Sequence, residues 1–232
     1  MGVALIGFAA AAAATVVLDP GHGGEARGVV RAGVEEAEVA LSIALQTASE
    51  LERAGLSVLL TRRTDAGLGL GERLAIAHRA RADLFVSIHV NSSPRAGRRG
   101  VETYVASALG SDDGALVARE EGAVPDRPPA STGLESVVSE LRADGARRIA
   151  ARAAARIQAR LARVDGLGPN RGLRQAPFTV LQRAEVPSVL VELGFMTNAE
   201  QRAFLASSRG KRAIASALAR GIVDASSSPG VP

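Results

Sequence analysis

The stretch Thr15-Val16-Val17-Leu18-Asp19-Pro20-Gly21-His22-Gly23-Gly24 constrains the fold more than any other part of the chain. Its first four residues are β-branched or aliphatic with no polar alternation. That is the pattern of a strand buried on both faces of a sheet. Pro20-Gly21 then couples a fixed φ to a residue free to take positive φ, and Gly23-Gly24 removes side chains beyond His22. An imidazole on such a ledge stands at the carboxyl end of a strand, in the crevice where open α/β sheets bind ligands.

The remaining elements follow in order. Residues 28–33 read as a loop. Glu36 opens a helix with Val39, Leu41, Ile43, Ala44, Ala48 and Leu51 as its apolar positions, and Gly55 ends it. Residues 56–61 form a strand and residues 70–82 a helix. The strand Leu84-Phe85-Val86-Ser87-Ile88 delivers His89 at its carboxyl end, so His22 and His89 occupy equivalent places on two parallel strands. Residues 101–105 read as a further strand and 114–121 as a short helix. Leu134, Val138, Leu141, Ile149, Ala153, Ile157 and Leu161 recur at helical spacing, with Gly145 as an interruption and Arg147, Arg148, Arg152, Arg156 and Arg160 on a solvated face. Residues 178–181 and 186–193 read as the last strands, the second ending in Glu192-Leu193-Gly194-Phe195. Thr197 and Glu200 suit a capping box, and residues 214–223 close the fold.

Alternating strands and helices in 232 residues predict one α/β domain over 15–225. Residues 226–232 read as a disordered Ser/Pro tail. Residues 1–14 are apolar or small and too short to span a bilayer; they resemble the apolar region and cleavage site of a secretory signal, without its charged start. Export, with removal close to Thr15, and no stable membrane insertion are therefore expected. The net charge of +4 comes almost wholly from arginine, Lys211 being the only lysine. Such a bias is weak ground for a nucleic-acid partner, and none is expected.

The chain has no cysteine, which excludes disulfides, thiolate metal sites and a cysteine nucleophile. A metal must then be held by carboxylates and by the three histidines His22, His78 and His89. Two imidazoles and one carboxylate, with a fourth position left to water, make a recurrent catalytic zinc site. Glu36 begins the helix after the first histidine turn and so lies near the edge where both histidines point; Glu35 and Glu38 compete with it. Glu192 ends a buried strand, where an unpaired carboxylate is costly, so it needs a zinc-bound water or a structural partner such as arginine or backbone. His78 falls outside every motif and reads as a surface residue.

The set LDPGHGG, EAEVALSIA, LTR with Glu72-Arg73, ADLFVSIHVNSS and VPSVLVELGFMTN resembles the zinc-dependent N-acetylmuramoyl-L-alanine amidases of bacterial cell walls. The resemblance covers nearly the whole chain after Ala14. It implies a three-layer fold, a mixed and mostly parallel sheet with helices on both faces. It also implies an exported hydrolase that cuts peptidoglycan between the lactyl group of N-acetylmuramic acid and L-alanine. By position it assigns one zinc to His22, Glu36 and His89, and the catalytic role to Glu192. Glu36 is preferred to Glu35 because Glu36-Ala37-Glu38-Val39-Ala40-Leu41 follows the family pattern, with Ala37 in place of a basic residue. In the division-associated branch a segment after the second histidine blocks the site until an activator protein relieves it. Here that segment is residues 109–134, followed by the acidic positions Glu135 and Glu140, and Glu120, Glu121 or Glu135 would be the blocking carboxylate; an ordinary surface loop is the simpler reading. Two alternatives stand beside the amidase: a zinc peptidase with the same ligands, and a catalytically silent regulator.

Overall fold

The computed structural model describes residues 13–95, 97–107, 118 and 134–227. The signal-like segment up to residue 12, most of the blocking or surface loop and of the 114–121 helix, and the last five residues of the tail lie outside the described residues. Eight strands and six helices are described. These are β1 (Thr15–Pro20), β2 (Val30–Arg31), β3 (Val34–Glu35), α1 (Glu36–Arg53), β4 (Ser57–Leu60), α2 (Leu70–Arg79), β5 (Leu84–Asn91) and β6 (Val101–Ala106). They continue as α3 (Leu134–Leu161), β7 (Asn170–Ala176), α4 (Thr179–Gln182), β8 (Ser188–Phe195), α5 (Ala199–Ala206) and α6 (Ser208–Ser226).

Six strands form one sheet in the order β4-β1-β5-β8-β6-β7. The first four are mutually parallel; β6 runs antiparallel to β8 and parallel to β7, so the sheet is mixed and mostly parallel as expected. Strands β5 and β8 are buried along their whole length and β1 at all but its first residue, whereas the edge strands β4 and β7 are partly exposed. Uninterrupted apolar runs thus occupy the centre, where both faces need cover.

On one face, α1, α3 and α6 pack over Val16, Leu18, Val86, Ile88, Val189 and Val191. Among the described residues the other face is covered more thinly, by Leu74 and Ala77 of α2 and by Val180 and Leu181 of α4, around Phe85, Tyr104 and Phe178, and the carboxyl ends of β1, β5 and β8 are open to a site.

Several expectations are corrected. Residues 178–181 do not form a strand: Phe178 caps α4, a single turn whose Thr179, Val180 and Leu181 are all buried. The strand before it, β7, was not expected, because Asn170-Arg171-Gly172-Leu173-Arg174-Gln175-Ala176 is polar, carries a glycine and lies at a sheet edge. Gly145 does not interrupt α3, and Ile149 and Leu141 are exposed rather than core-facing. Arg147, Arg148, Arg152 and Arg156 are exposed as expected, while Arg160 pairs with Asp224 at 2.7 Å. The cap of α5 is Asn198, accepting from the Gln201 amide; Thr197 instead accepts from the Ser93 amide. Helix α6 runs to Ser226, into the expected tail. Part of the 28–33 loop is a hairpin, β2 and β3 joined through Ala32 (φ 50°) and Gly33 (φ 76°), the two positive φ values of a type I′ turn.

Candidate metal centre

The sequence places His22 in the turn after β1, Glu36 at the first residue of α1, and His89 two residues before the end of β5. The fold brings all three together, their ligand atoms within 4.8 Å of one another; among the described residues no other such group occurs. Glu36 is fully buried. Its Oε1 lies 3.1 Å from His22 Nε2 and 3.1 Å from His89 Nδ1, with the two rings edge-on at 5.0 Å. Glu36 outcompetes its neighbours on placement alone. Glu35 turns away to pair with Arg27, and Glu38 reaches outward to Lys211.

The carboxylate of Glu36 is aimed by backbone. Val29 N–H donates to Oε2 at 3.0 Å and Val90 N–H to Oε1 at 2.9 Å, so both oxygens are fixed by the hairpin and by β5. The glycines serve space more than conformation. Gly21 does not take positive φ, but a Cβ there would stand 2.3 Å from the His89 ring. At Gly28, φ is +66° and a Cβ would meet Glu36 Oε2 and His22 Cδ2, each at 2.6 Å. His22 itself carries the left-handed backbone of its turn, φ 57°.

Two buried arginines, which reading the residues singly did not reveal, hold that turn. Arg62 donates to the carbonyls of Pro20, Gly21, Thr64 and Ala37, joining the histidine turn to the start of α1. Arg73 donates to the carbonyls of Pro20, His22 and Leu68 and to Asp19 Oδ1. Asp19 also accepts from Thr61 and Ser87, so its buried charge is balanced within β1 and its neighbours. Burial, and next the charge of Arg73, lower the Arg62 pKa from its ordinary value, against which Asp19 and Asp65 act. The signal for these residues was the LTR and Glu72-Arg73 motifs, whose spatial role only folding discloses.

Glu192 is fully buried on β8, directly in register with His89 of β5 on one side and Glu102 of β6 on the other. Registered neighbours share a face, so the row His89, Glu192, Glu102 crosses three strands beside the histidine pair. Glu102 takes up nearby cationic groups: Arg171 Nε hydrogen-bonds it and Arg174 Nε lies at 3.2 Å. It accepts too from the Tyr104 hydroxyl at 2.6 Å. Burial, then the Glu102 charge and that hydrogen bond, push the Tyr104 pKa far above its ordinary range, so the phenol stays a donor. His78 is not a free surface residue; it is half-buried, and its Nε2 accepts from the Glu185 amide at 3.1 Å.

A cleft of about 150 Å³ opens beside the centre, lined by His22, His89, Arg73, Phe178 and Thr179 among others. The donor set fits a divalent metal. Two imidazole nitrogens and one carboxylate oxygen converge from rigid elements, a combination suited to zinc and its neighbours rather than to calcium or magnesium. Among the described residues no helix is long and apolar enough to cross a membrane.

Comparisons with known proteins bear on the family to which the fold belongs. The family profile described as N-acetylmuramoyl-L-alanine amidase matches residues 16–224. The chain is 34% identical over 216 residues to the amidase AmiA of Escherichia coli, covering 90% of this chain and 74% of that protein. It is 31% identical to the amidase AmiC of Neisseria meningitidis, of which it spans about half, 51%, while 89% of this chain is covered. Among solved structures, the amidase AmiC2 of Nostoc punctiforme superposes with a TM-score of 0.67 at 31% identity, covering 91% of this chain and 96% of that one. A family match over nearly all of the folded part, and relatives aligned along the same length, lead to one conclusion: the chain belongs to the N-acetylmuramoyl-L-alanine amidase family.

Proposed function

We propose that this chain is a zinc-dependent amidase that hydrolyses the amide between the lactyl group of N-acetylmuramic acid and L-alanine in peptidoglycan. The observation that carries the proposal is the convergence of His22 and His89 on the buried Glu36, with Glu192 in register beside His89. His22, Glu36 and His89 hold one zinc per chain, and Glu192 is the catalytic base.

Zinc bound there supplies Lewis acidity to the scissile carbonyl and lowers the pKa of a bound water toward about 7. Everything else falls to the protein. Val29 and Val90 amides hold the Glu36 carboxylate in place, and Arg62 and Arg73 hold the His22 turn against movement. Glu192 accepts a proton from the attacking water on a carboxylate oxygen. As the C–N bond breaks, that proton passes to the alanine nitrogen. One water is consumed, leaving a lactyl carboxylate and a peptide with a free L-alanine amino terminus.

Peptidoglycan lies outside the cytoplasm, so the enzyme acts after export, and the mature protein begins close to Thr15. Mass spectrometry of protein from the native host reads that start directly; an intact Met1 in a cytosolic fraction contradicts it. The activity itself is tested by digesting purified peptidoglycan and labelling new amino termini. L-Alanine termini that vanish on chelation and return with zinc are expected. Termini from within the peptide would indicate a peptidase, and no new termini from the zinc-loaded protein would leave a silent regulator.

A further inference from the structure

Glu102 is as deeply buried as Glu192 and stands beside it in register, yet the proposed chemistry gives it no part. Its surroundings are built with care. Val101 pairs with Asn170 and Thr103 with Leu173, so β7 has one residue more than β6 over this interval. Gly172, at φ 82°, lies in that bulge. Arg171 and Arg174 are three residues apart and in a regular strand would leave on opposite faces, but here both guanidinium groups arrive at Glu102.

Both oxygens of Glu102 are engaged. Oε1 takes the two arginines, Arg171 Nε as a hydrogen bond and Arg174 Nε at 3.2 Å. Oε2 accepts from the Tyr104 hydroxyl at 2.6 Å and from Asn91 Nδ2 at 3.3 Å. Asn91 belongs to β5 and Glu102 to β6, with β8 between them, so this last bond passes over the strand that carries Glu192. Asn91 turns its amide nitrogen to the carboxylate although its buried Oδ1 then meets no hydrogen-bond donor among the described residues. Groups from three strands thus fix one carboxylate next to another.

The consequence falls on Glu192. Registered neighbours carry their Cβ atoms about 4.5–5.5 Å apart, so an arginine released by Glu102 has Glu192 as the adjacent carboxylate. Arginine grips a carboxylate as a planar fork, among the strongest hydrogen-bonded pairs in proteins. On Glu192 that fork would cover the oxygens with which the base takes a proton from water. We propose that Glu102 is a positioning residue for the hydrolysis, which engages Arg171 and Arg174 and so keeps them off Glu192. This rests on the amidase reading and adds to it a residue that acts only through the base.

The test begins with Glu102→Gln, similar in shape and uncharged, which releases both arginines. Its kcat on peptidoglycan is expected to fall roughly tenfold to hundredfold, with KM and zinc content little changed. A crystal structure of the metal-free variant should show a guanidinium nitrogen within about 4 Å of a Glu192 oxygen. Adding Arg171→Gln and Arg174→Gln removes the competing cations and should recover most of the lost rate, a recovery that a residue needed only for folding would not allow. Glu102→Asp keeps the charge and should lose far less than Glu102→Gln. Wild-type rates in Glu102→Gln, arginines that stay off Glu192 in its crystal structure, or a folded, zinc-loaded triple variant no faster than Glu102→Gln would each overturn the proposal. If Glu102→Gln does not fold, the triple variant and Glu102→Asp decide: turnover near the wild type in either supports the role, and a folded, zinc-loaded but inactive protein in either refutes it. If the wild type releases no L-alanine termini, the amidase reading fails, and the guanidinium positions in Glu102→Gln still show whether Glu102 held them.

Discussion

Gly28→Ala should weaken zinc binding without unfolding the protein. Two costs are involved. The backbone at Gly28 has φ +66°, where a residue with a side chain costs about 1–2 kcal/mol. The second cost falls on the site: the new Cβ would lie 2.6 Å from Glu36 Oε2 and from His22 Cδ2, 0.8 Å inside the 3.4 Å at which ordinary contact begins. Neither ligand yields easily, since Val29 and Val90 amides fix Glu36 and Arg62 and Arg73 fix the His22 turn. Metal sites tolerate shifts of about 0.2 Å, so a roughly tenfold to hundredfold loss of zinc affinity is expected. Gly33→Ala is the control. Its φ of +76° carries the same backbone cost, but nothing lies within 4 Å of the added Cβ. Both variants should lose roughly 2–8 °C in metal-free Tm, and only Gly28→Ala should lose zinc affinity in a chelator competition. Equal zinc affinities in the two variants would refute the reasoning.

Other expectations follow from the same contacts. His22→Ala and His89→Ala should each abolish metal binding at neutral pH, measured as zinc retained after gel filtration; full retention in either would remove that residue from the ligand set. Arg62→Ala removes four hydrogen bonds to backbone carbonyls in three segments and should cost at least about 3 kcal/mol in urea unfolding; a cost under about 1 kcal/mol would mean that the turn holds itself. Phe178→Ala empties the core beneath the cleft, where the ring packs edge-on to Tyr104 at 5.0 Å, and should cost about 3–5 kcal/mol. The Arg160 hydrogen bond lowers the Asp224 pKa from its ordinary value. Its stabilisation is therefore full above that value and lost as pH falls through the lowered one, so the Tm gap between wild type and Asp224→Asn should close on acidification. A gap independent of pH would contradict this.

What was legible in the sequence has a common physical basis. Central strands of a covered sheet must be apolar on both faces, so β1, β5 and β8 announced themselves, and their ends located His22, His89 and Glu192. Helix α1 was legible from its period, and its first residue supplied Glu36. Edge structure was not legible. In β7, polar residues meet solvent and a glycine sits at a bulge, which erases both alternation and apolar content. Thr179-Val180-Leu181 is β-branched or aliphatic and too short for a helical period, so a buried turn read as a strand. Arginines present a deeper difficulty. Arg62, Arg73, Arg171 and Arg174 look in sequence like the solvated arginines of α3. Only the carbonyls and carboxylates that folding gathers around them tell the two kinds apart.

The central claim is that His22, Glu36 and His89 hold the metal, while Glu192 acts beside it without holding it. The most direct measurement is zinc content and turnover of Glu192→Gln, determined on one preparation. One zinc per chain, with the rate on peptidoglycan reduced roughly 10²-fold or more, is the predicted result. Near-normal turnover, or a protein that no longer retains zinc, would contradict the claim.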